Sequence, residues 1–303
     1  MATSLTADTT GRAADIGRPT YPQHVYGLSL ALAVLGVLAA ALTFAVPDIL
    51  TGPPVTNGNA RGTALVMLAL AIPTLLASLV LTARGSWRSI LVWLGSVFYL
   101  IYNSFLLLFL TPFNRLFVLY VATFSVALFA AFALIRAADI QQLLERLRRL
   151  PVKALAIYVW TVVFLNAAAW LRTALPATIA EDPTSFLEGM GVATNAIYIQ
   201  DLAVWLPLMA VAGWWLWQRK PIGILLTGSW LVFGVMESVG IAVDQWFGHR
   251  ADPTSTFASE SAIYLAVILA VNGLIPLYFF FKPEPVDLDL TARRHAIEQR
   301  REQ

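Results

Sequence analysis

Three carboxylic acids stand inside otherwise apolar sequence. Asp201 lies in the run 197–218, and Glu237 and Asp244 lie in the run 222–246. Only Arg219-Lys220-Pro221 separates the two runs, which read as a helical hairpin. A carboxylate is costly in hydrocarbon, so an acid placed there lines a cavity or meets a partner. Glu237 and Asp244 are seven residues apart, so on a helix they share a face, about 10 Å apart along the axis. Trp230, Gly234 and Ile241 share that stripe, and Tyr198, Asp201 and Trp205 form another on the preceding helix.

The chemistry open to these acids depends on their protonation. A neutral Glu237 can donate a proton or a hydrogen bond, and an ionised one can hold a cation. Glu237, Asp201 and Asp244 are therefore the candidate catalytic or ion-binding groups. Each has a plainer reading. Asp201 can pair with Arg172 across the ends of two helices, and Asp244 lies near enough to the interface to be solvated. Glu237 is the deepest, and no basic residue is expected at its depth.

Asn103, Asn166 and Asn272 fall at similar depth, and with Trp205 and Trp230 they are the candidate ligand-binding groups. Asparagines inside a membrane also serve as interhelical hydrogen-bond donors, and a deep tryptophan also simply packs. Gly234 and Gly240 flank Glu237 and either admit a neighbouring helix or leave room beside the carboxyl. Pro73, Pro207 and Pro276 withhold a backbone donor from Ala69, Ala203 and Asn272, four residues earlier.

The elements that must position these groups follow from composition. The chain has 303 residues, 58% hydrophobic and 13% charged. A soluble domain carries about a quarter of its residues charged. Eight apolar runs, near 25–46, 62–83, 89–110, 116–137, 154–174, 197–217, 222–246 and 260–281, each reach the roughly 20 residues that a crossing takes. The expected fold is an all-α membrane protein, one bundle of eight transmembrane helices.

Lys and Arg set the orientation, because they accumulate on the cytoplasmic side. Sixteen of the 20 basic residues fall in alternate connecting segments and the two tails, and only Arg61, Arg115, Arg172 and Arg250 fall on the other side. Both termini are thus expected in the cytoplasm, and the chain in the plasma (inner) membrane.

Residues 138–152 repeat leucine at helical spacing on one face and charge on the other. This predicts an amphipathic interfacial helix between helices four and five, with Arg146, Arg148 and Arg149 toward anionic inner-leaflet lipid. A plain cytoplasmic connector is the alternative. Residues 1–24 read as a disordered cytoplasmic tail, 25–282 as the transmembrane domain and 283–303 as a cytoplasmic C-tail.

The chain has no cysteine, which excludes disulfides, thiolate nucleophiles and cysteine-held metals. His24, His249 and His295 lack metal-ligand spacing, and nothing calls for a metal or other cofactor. A net charge of +2 gives no case for nucleic acid. The phosphate-binding loop with its lysine and the Gly-x-Ser-x-Gly elbow are absent, which argues against ATP-driven transport by this chain alone.

Two blocks carry a resemblance. One is Tyr102-Asn103-Ser104-Phe105, leading to Thr111-Pro112-Phe113-Asn114 and Leu119-Tyr120-Val121. The other is Tyr198-Ile199-Gln200-Asp201-Leu202, continuing through Leu206-Pro207-Leu208 to Leu216-Trp217. They resemble a group of uncharacterised bacterial, often actinobacterial, multi-pass integral membrane proteins. The resemblance covers helices three, four and six and the start of seven. It implies architecture and supplies no activity.

Three functions fit these residues. The first is binding or transport of a small cationic or amphipathic ligand in an acidic and aromatic pocket on the outward side. The second is a membrane-embedded, acid-catalysed enzyme on a lipid or isoprenoid substrate, in the manner of a terpene cyclase. The third is a structural subunit whose acids satisfy a partner helix.

Overall fold

The computed structural model describes residues 21–46, 48–147 and 149–282, apart from the side chains of Gln142 and Arg146. Of the expected tails, residues 1–20 of the N-tail (1–24) and all of 283–303 lie outside that range, while Gln23 and His24 already belong to the first helix. Among the described residues, eight helices are long and apolar enough to cross a membrane. They are α1 (Gln23–Ala45), α2 (Pro54–Ala83), α3 (Ser89–Phe109), α4 (Phe117–Ala137), α5 (Val152–Thr178), α6 (Ala196–Trp217), α7 (Pro221–Ala251) and α8 (Glu260–Phe281). The protein is a multi-pass helical membrane bundle.

Local sequence starts these helices where they start. Pro54 and Pro221 occupy first turns, where a missing N–H does no harm. The Asn195 side chain accepts from the backbone N–H groups of Ile197 and Tyr198 and caps α6. Ser259 caps α8 by accepting from Ala262 N–H at 3.3 Å. The α6–α7 turn closes with Arg219 at a φ of +56°, held by Arg219 N–H to Leu216 O and Lys220 N–H to Trp215 O.

Packing ranks the helices. In α3, 89% of the apolar window is buried inside the protein, and in α7 67%, against 17% in α5 and 22% in α8. The centre of the bundle is thus the α3–α7 pair. Helices α2, α6 and α8 pack on α7, α1 and α4 pack together beside α3, and α5 reaches the bundle through α6. The uncovered faces of α5 and α8 are broadly apolar, as a lipid-facing surface requires.

Alternation of the spans gathers the joints at two ends. At one end the α2 start meets the α5–α6 segment: Thr56 donates to Met190 O at 2.8 Å. Thr51 there donates to Phe113 O at 3.4 Å. This is the loop end. At the opposite end Arg88 donates to Lys282 O at 2.8 Å and Lys153 lies over the Trp217 ring. This is the basic end.

Helix α5 runs past its expected limits to Thr178 rather than 174, and two other helices run further. α2 begins at Pro54 rather than near residue 62, and α7 continues to Ala251 rather than 246. The reason is Gly58-x-x-x-Gly62. A Cβ on Gly58 would lie 2.6 Å from Phe247 O, and one on Gly62 would lie 2.5 Å from Asp244 Cα. The polar start of α2 therefore lies directly on the backbone of α7 and is covered by protein, so it needs no hydropathy of its own.

The segment at 138–152 also differs from its expectation. Only Ile140–Arg146 is helical, and Leu143, Leu147 and Leu150 are buried in the protein. Leu143 lines a small gap with Tyr21, Trp87, Ile90 and Leu225. The apolar face thus closes the basic end of the bundle. Arg149 is exposed, while Arg148 and the Arg146 side chain lie outside the described residues.

Candidate functional site

Of the three prolines that free a carbonyl, Pro73 and Pro207 are each preceded by a π turn, whereas Pro276 sits inside a continuous α-helix. Residues Met67–Ala71 form one before Pro73, and Asp201–Trp205 form the other before Pro207. In each, an N–H reaches back five residues: Ile72 to Met67 O, and Leu206 to Asp201 O. The extra residue absorbs the missing donor. The second π turn also sets the direction of Asp201, its first residue.

Asp201 is buried, and Oδ2 accepts from Trp170 Nε1 of α5 at 2.8 Å. The Tyr102 hydroxyl of α3 faces the same carboxyl. Arg172 sits on the exposed side of α5, and the expected Asp201–Arg172 pair is not made among the described residues. Trp170 further stacks on Tyr198, with ring centroids 4.4 Å apart, so α5 is locked to α6 by the same side chain.

Glu237 is buried at mid-length of α7. Its Oε2 accepts from Asn103 Nδ2 of α3 at 2.8 Å, and that amide also donates to Tyr99 O at 3.1 Å. Among the described residues no ion pair reaches Glu237, Asp201 or Asp244. Both deep acids are thus satisfied by neutral donors. Asp244 lies where Gly62 of α2 presses on α7, and its Oδ1 is buried without a hydrogen bond.

Aromatic rings cluster beside the two acids, on α3, α6 and α7. Trp205 stacks on Phe233 with centroids 5.1 Å apart, and Phe98 meets Trp205 edge-on at 5.6 Å. Tyr102 contacts both Trp205 and Phe233. Such ring faces carry negative potential and suit a cation. On α7, a Cβ added at Gly234 would meet nothing within 4 Å, so open space lies one turn from Glu237.

The structure thus brings Asn103, Asp201, Trp205 and Glu237 together around α3. It sets the other candidates elsewhere. Trp230 packs in a satellite cluster with Val159, Leu206 and Met209. Asn166 is half-buried on the rim helix α5, and Asn272 is exposed and donates to Ile268 O of its own helix. Sequence reasoning missed Tyr99, Tyr102 and Trp170. The available signal was that Tyr99, Tyr102 and Asn103 stand at i, i+3 and i+4, on one face of a single apolar helix.

No protein-family model matches this chain, and no curated protein or solved structure matches it either.

Proposed function

We propose that this chain is a bacterial inner-membrane protein that binds and carries a small organic cation or amphipathic amine, with proton exchange at Glu237. The observation that carries the reading is that two buried acids, Asp201 and Glu237, are held only by neutral donors beside the rings of Tyr102, Trp205 and Phe233. A positively charged ligand supplies the charge that the protein does not. The rings shield it from lipid, and the space at Gly234 gives it an approach. A proton on Glu237 competes with the ligand for the same carboxylate, so binding and proton release are coupled.

We propose further that the basic end faces the cytoplasm. The joints at 84–88, 138–151 and 218–220 meet at that end, and most Lys and Arg residues lie in them or in the adjoining tails. The acidic centre and Asp244 then lie toward the outer half. Because the chain has no native thiol, Ser185→Cys is the test: a membrane-impermeant maleimide labels it in intact cells. Labelling that needs permeabilised cells overturns the orientation.

The function is tested with tetraphenylphosphonium, a lipophilic aromatic cation, on the protein in nanodiscs. The wild type should bind it more tightly as pH rises, because deprotonation favours the cation. Glu237→Gln should weaken binding by about tenfold or more and flatten the pH dependence. Unchanged affinity in both Glu237→Gln and Asp201→Asn overturns the proposal.

A further inference from the structure

Tyr99 is wholly enclosed, and among the described residues no group hydrogen-bonds its hydroxyl. A buried hydroxyl in that state costs about 1–3 kcal/mol, so its retention calls for a use. Gly240 sets its place: a Cβ there would lie 3.0 Å from the hydroxyl oxygen. Gly240 stands three residues after Glu237 and four before Asp244, so the hydroxyl lies on the α7 face that carries both acids. Asp244 Oδ1 is a second buried atom without a partner on the same face.

We infer that Tyr99 relays a proton between Glu237 and Asp244, linking the acidic centre to the loop end of the bundle. The inference rests on proton exchange at Glu237 and adds the route. Glu237 in its acid form passes its proton to the Tyr99 oxygen while the Tyr99 O–H passes its own to the Asp244 carboxylate. One O–H bond breaks at Glu237 and one at Tyr99, and one forms at Tyr99 and one at Asp244. The phenol stays neutral, one proton moves and no electron does. A turn of a carboxyl or one bridging water closes each contact, and rotation of the phenol O–H resets the relay.

The groups around this route are few. α3 adds Tyr102 and Asn103, and α6 adds Asp201. α2 adds Arg61, whose Nε is buried without a hydrogen bond one residue from Gly62. Beyond Asp244, His249 lies 3.8 Å from Glu260 of α8 at the loop end. Arg61 and that pair stand where a proton leaving Asp244 emerges. A tyrosine suits the middle position because its hydroxyl both donates and accepts.

The test is time-resolved infrared spectroscopy after a pH jump on the full-length protein in nanodiscs. The protonated Glu237 carboxyl band is assigned by its loss in Glu237→Gln. Tyr99→Phe should keep the amplitude of that band but slow its appearance by about tenfold or more. Gly240→Ala, which crowds the hydroxyl, and Asp244→Asn should slow it as well. Wild-type rates in both Tyr99→Phe and Gly240→Ala overturn the relay, as does a Glu237 band that never changes with pH. The assay uses no cation. Slowed proton transfer in Tyr99→Phe, together with unchanged tetraphenylphosphonium affinity in both Glu237→Gln and Asp201→Asn, would sink the binding reading and leave the relay standing.

Discussion

Asn103 on α3 donates its side-chain amide to Glu237 Oε2 on α7 at 2.8 Å, across the most enclosed interface of the bundle. The same amide donates to Tyr99 O, so the asparagine is fixed before it meets the acid. Removing it leaves a buried carboxyl without a donor, which costs about 1–3 kcal/mol. Asn103→Leu should therefore lower stability by that amount in a denaturation titration in mixed micelles. Glu237→Gln keeps an acceptor at the same place and should cost less than about 1 kcal/mol. In a double-mutant cycle of Asn103→Leu with Glu237→Leu, which removes the acceptor, the two changes should couple. Additive effects would mean that the contact contributes nothing.

Asp201 distinguishes two accounts of its own role. Its carboxyl accepts from Trp170, while Arg172, two residues along α5, stays exposed. Trp170→Phe removes the donor and should destabilise the protein by about 1 kcal/mol or more. Arg172→Ala should change stability by no more than about 0.5 kcal/mol, as for an exposed surface change. If Arg172→Ala proves the more damaging, the ion-pair account of Asp201 returns.

How much of this was legible beforehand depends on what a residue type can say alone. Eight spans were readable because length and apolar content are sufficient to define a crossing. The starts of α2 and the end of α7 were not, because Thr56 to Gly62 is polar sequence buried against protein rather than lipid. Glu237 and Asp201 stood out because an acid in hydrocarbon has few uses. Their partners did not. Tyr99, Tyr102 and Trp170 read as packing until α3 and α5 are set beside α6 and α7. Asn166 and Asn272 show the converse limit: depth along a helix was readable, but the rotation that turns Asn272 outward was not.

The α2–α7 contact makes a sharper prediction from glycine. A Cβ on Gly62 collides with the backbone of Asp244, which cannot move aside as a side chain would. Gly62→Ala should cost about 1–3 kcal/mol, as overpacking does, and Gly62→Leu should prevent recovery of a monodisperse protein. Gly234→Ala is the control. Its Cβ enters open space, and the loss of glycine from a helix interior should stabilise the protein by about 0.5–1 kcal/mol. Equal effects at the two positions would mean that α2 does not press on α7 here.

Pro207 links backbone geometry to the acidic centre. Because it offers no N–H to Ala203, α6 accommodates one extra residue as a π turn, and Asp201 begins that turn. Alanine at 207 restores the donor and lets the turn relax to an α-helix. The part of α6 before the turn then rotates by about 100° relative to the rest, the angle of one residue. That rotation carries Asp201 away from Tyr102 and Trp170. Pro207→Ala should therefore lower tetraphenylphosphonium affinity by about tenfold while leaving the helical content unchanged. Pro73→Ala relaxes the matching π turn in α2, which holds none of the deep acids, and should leave affinity alone. Equal losses from both substitutions would trace the effect to general loosening of the bundle, and no loss from Pro207→Ala would show that the π turn does not aim Asp201.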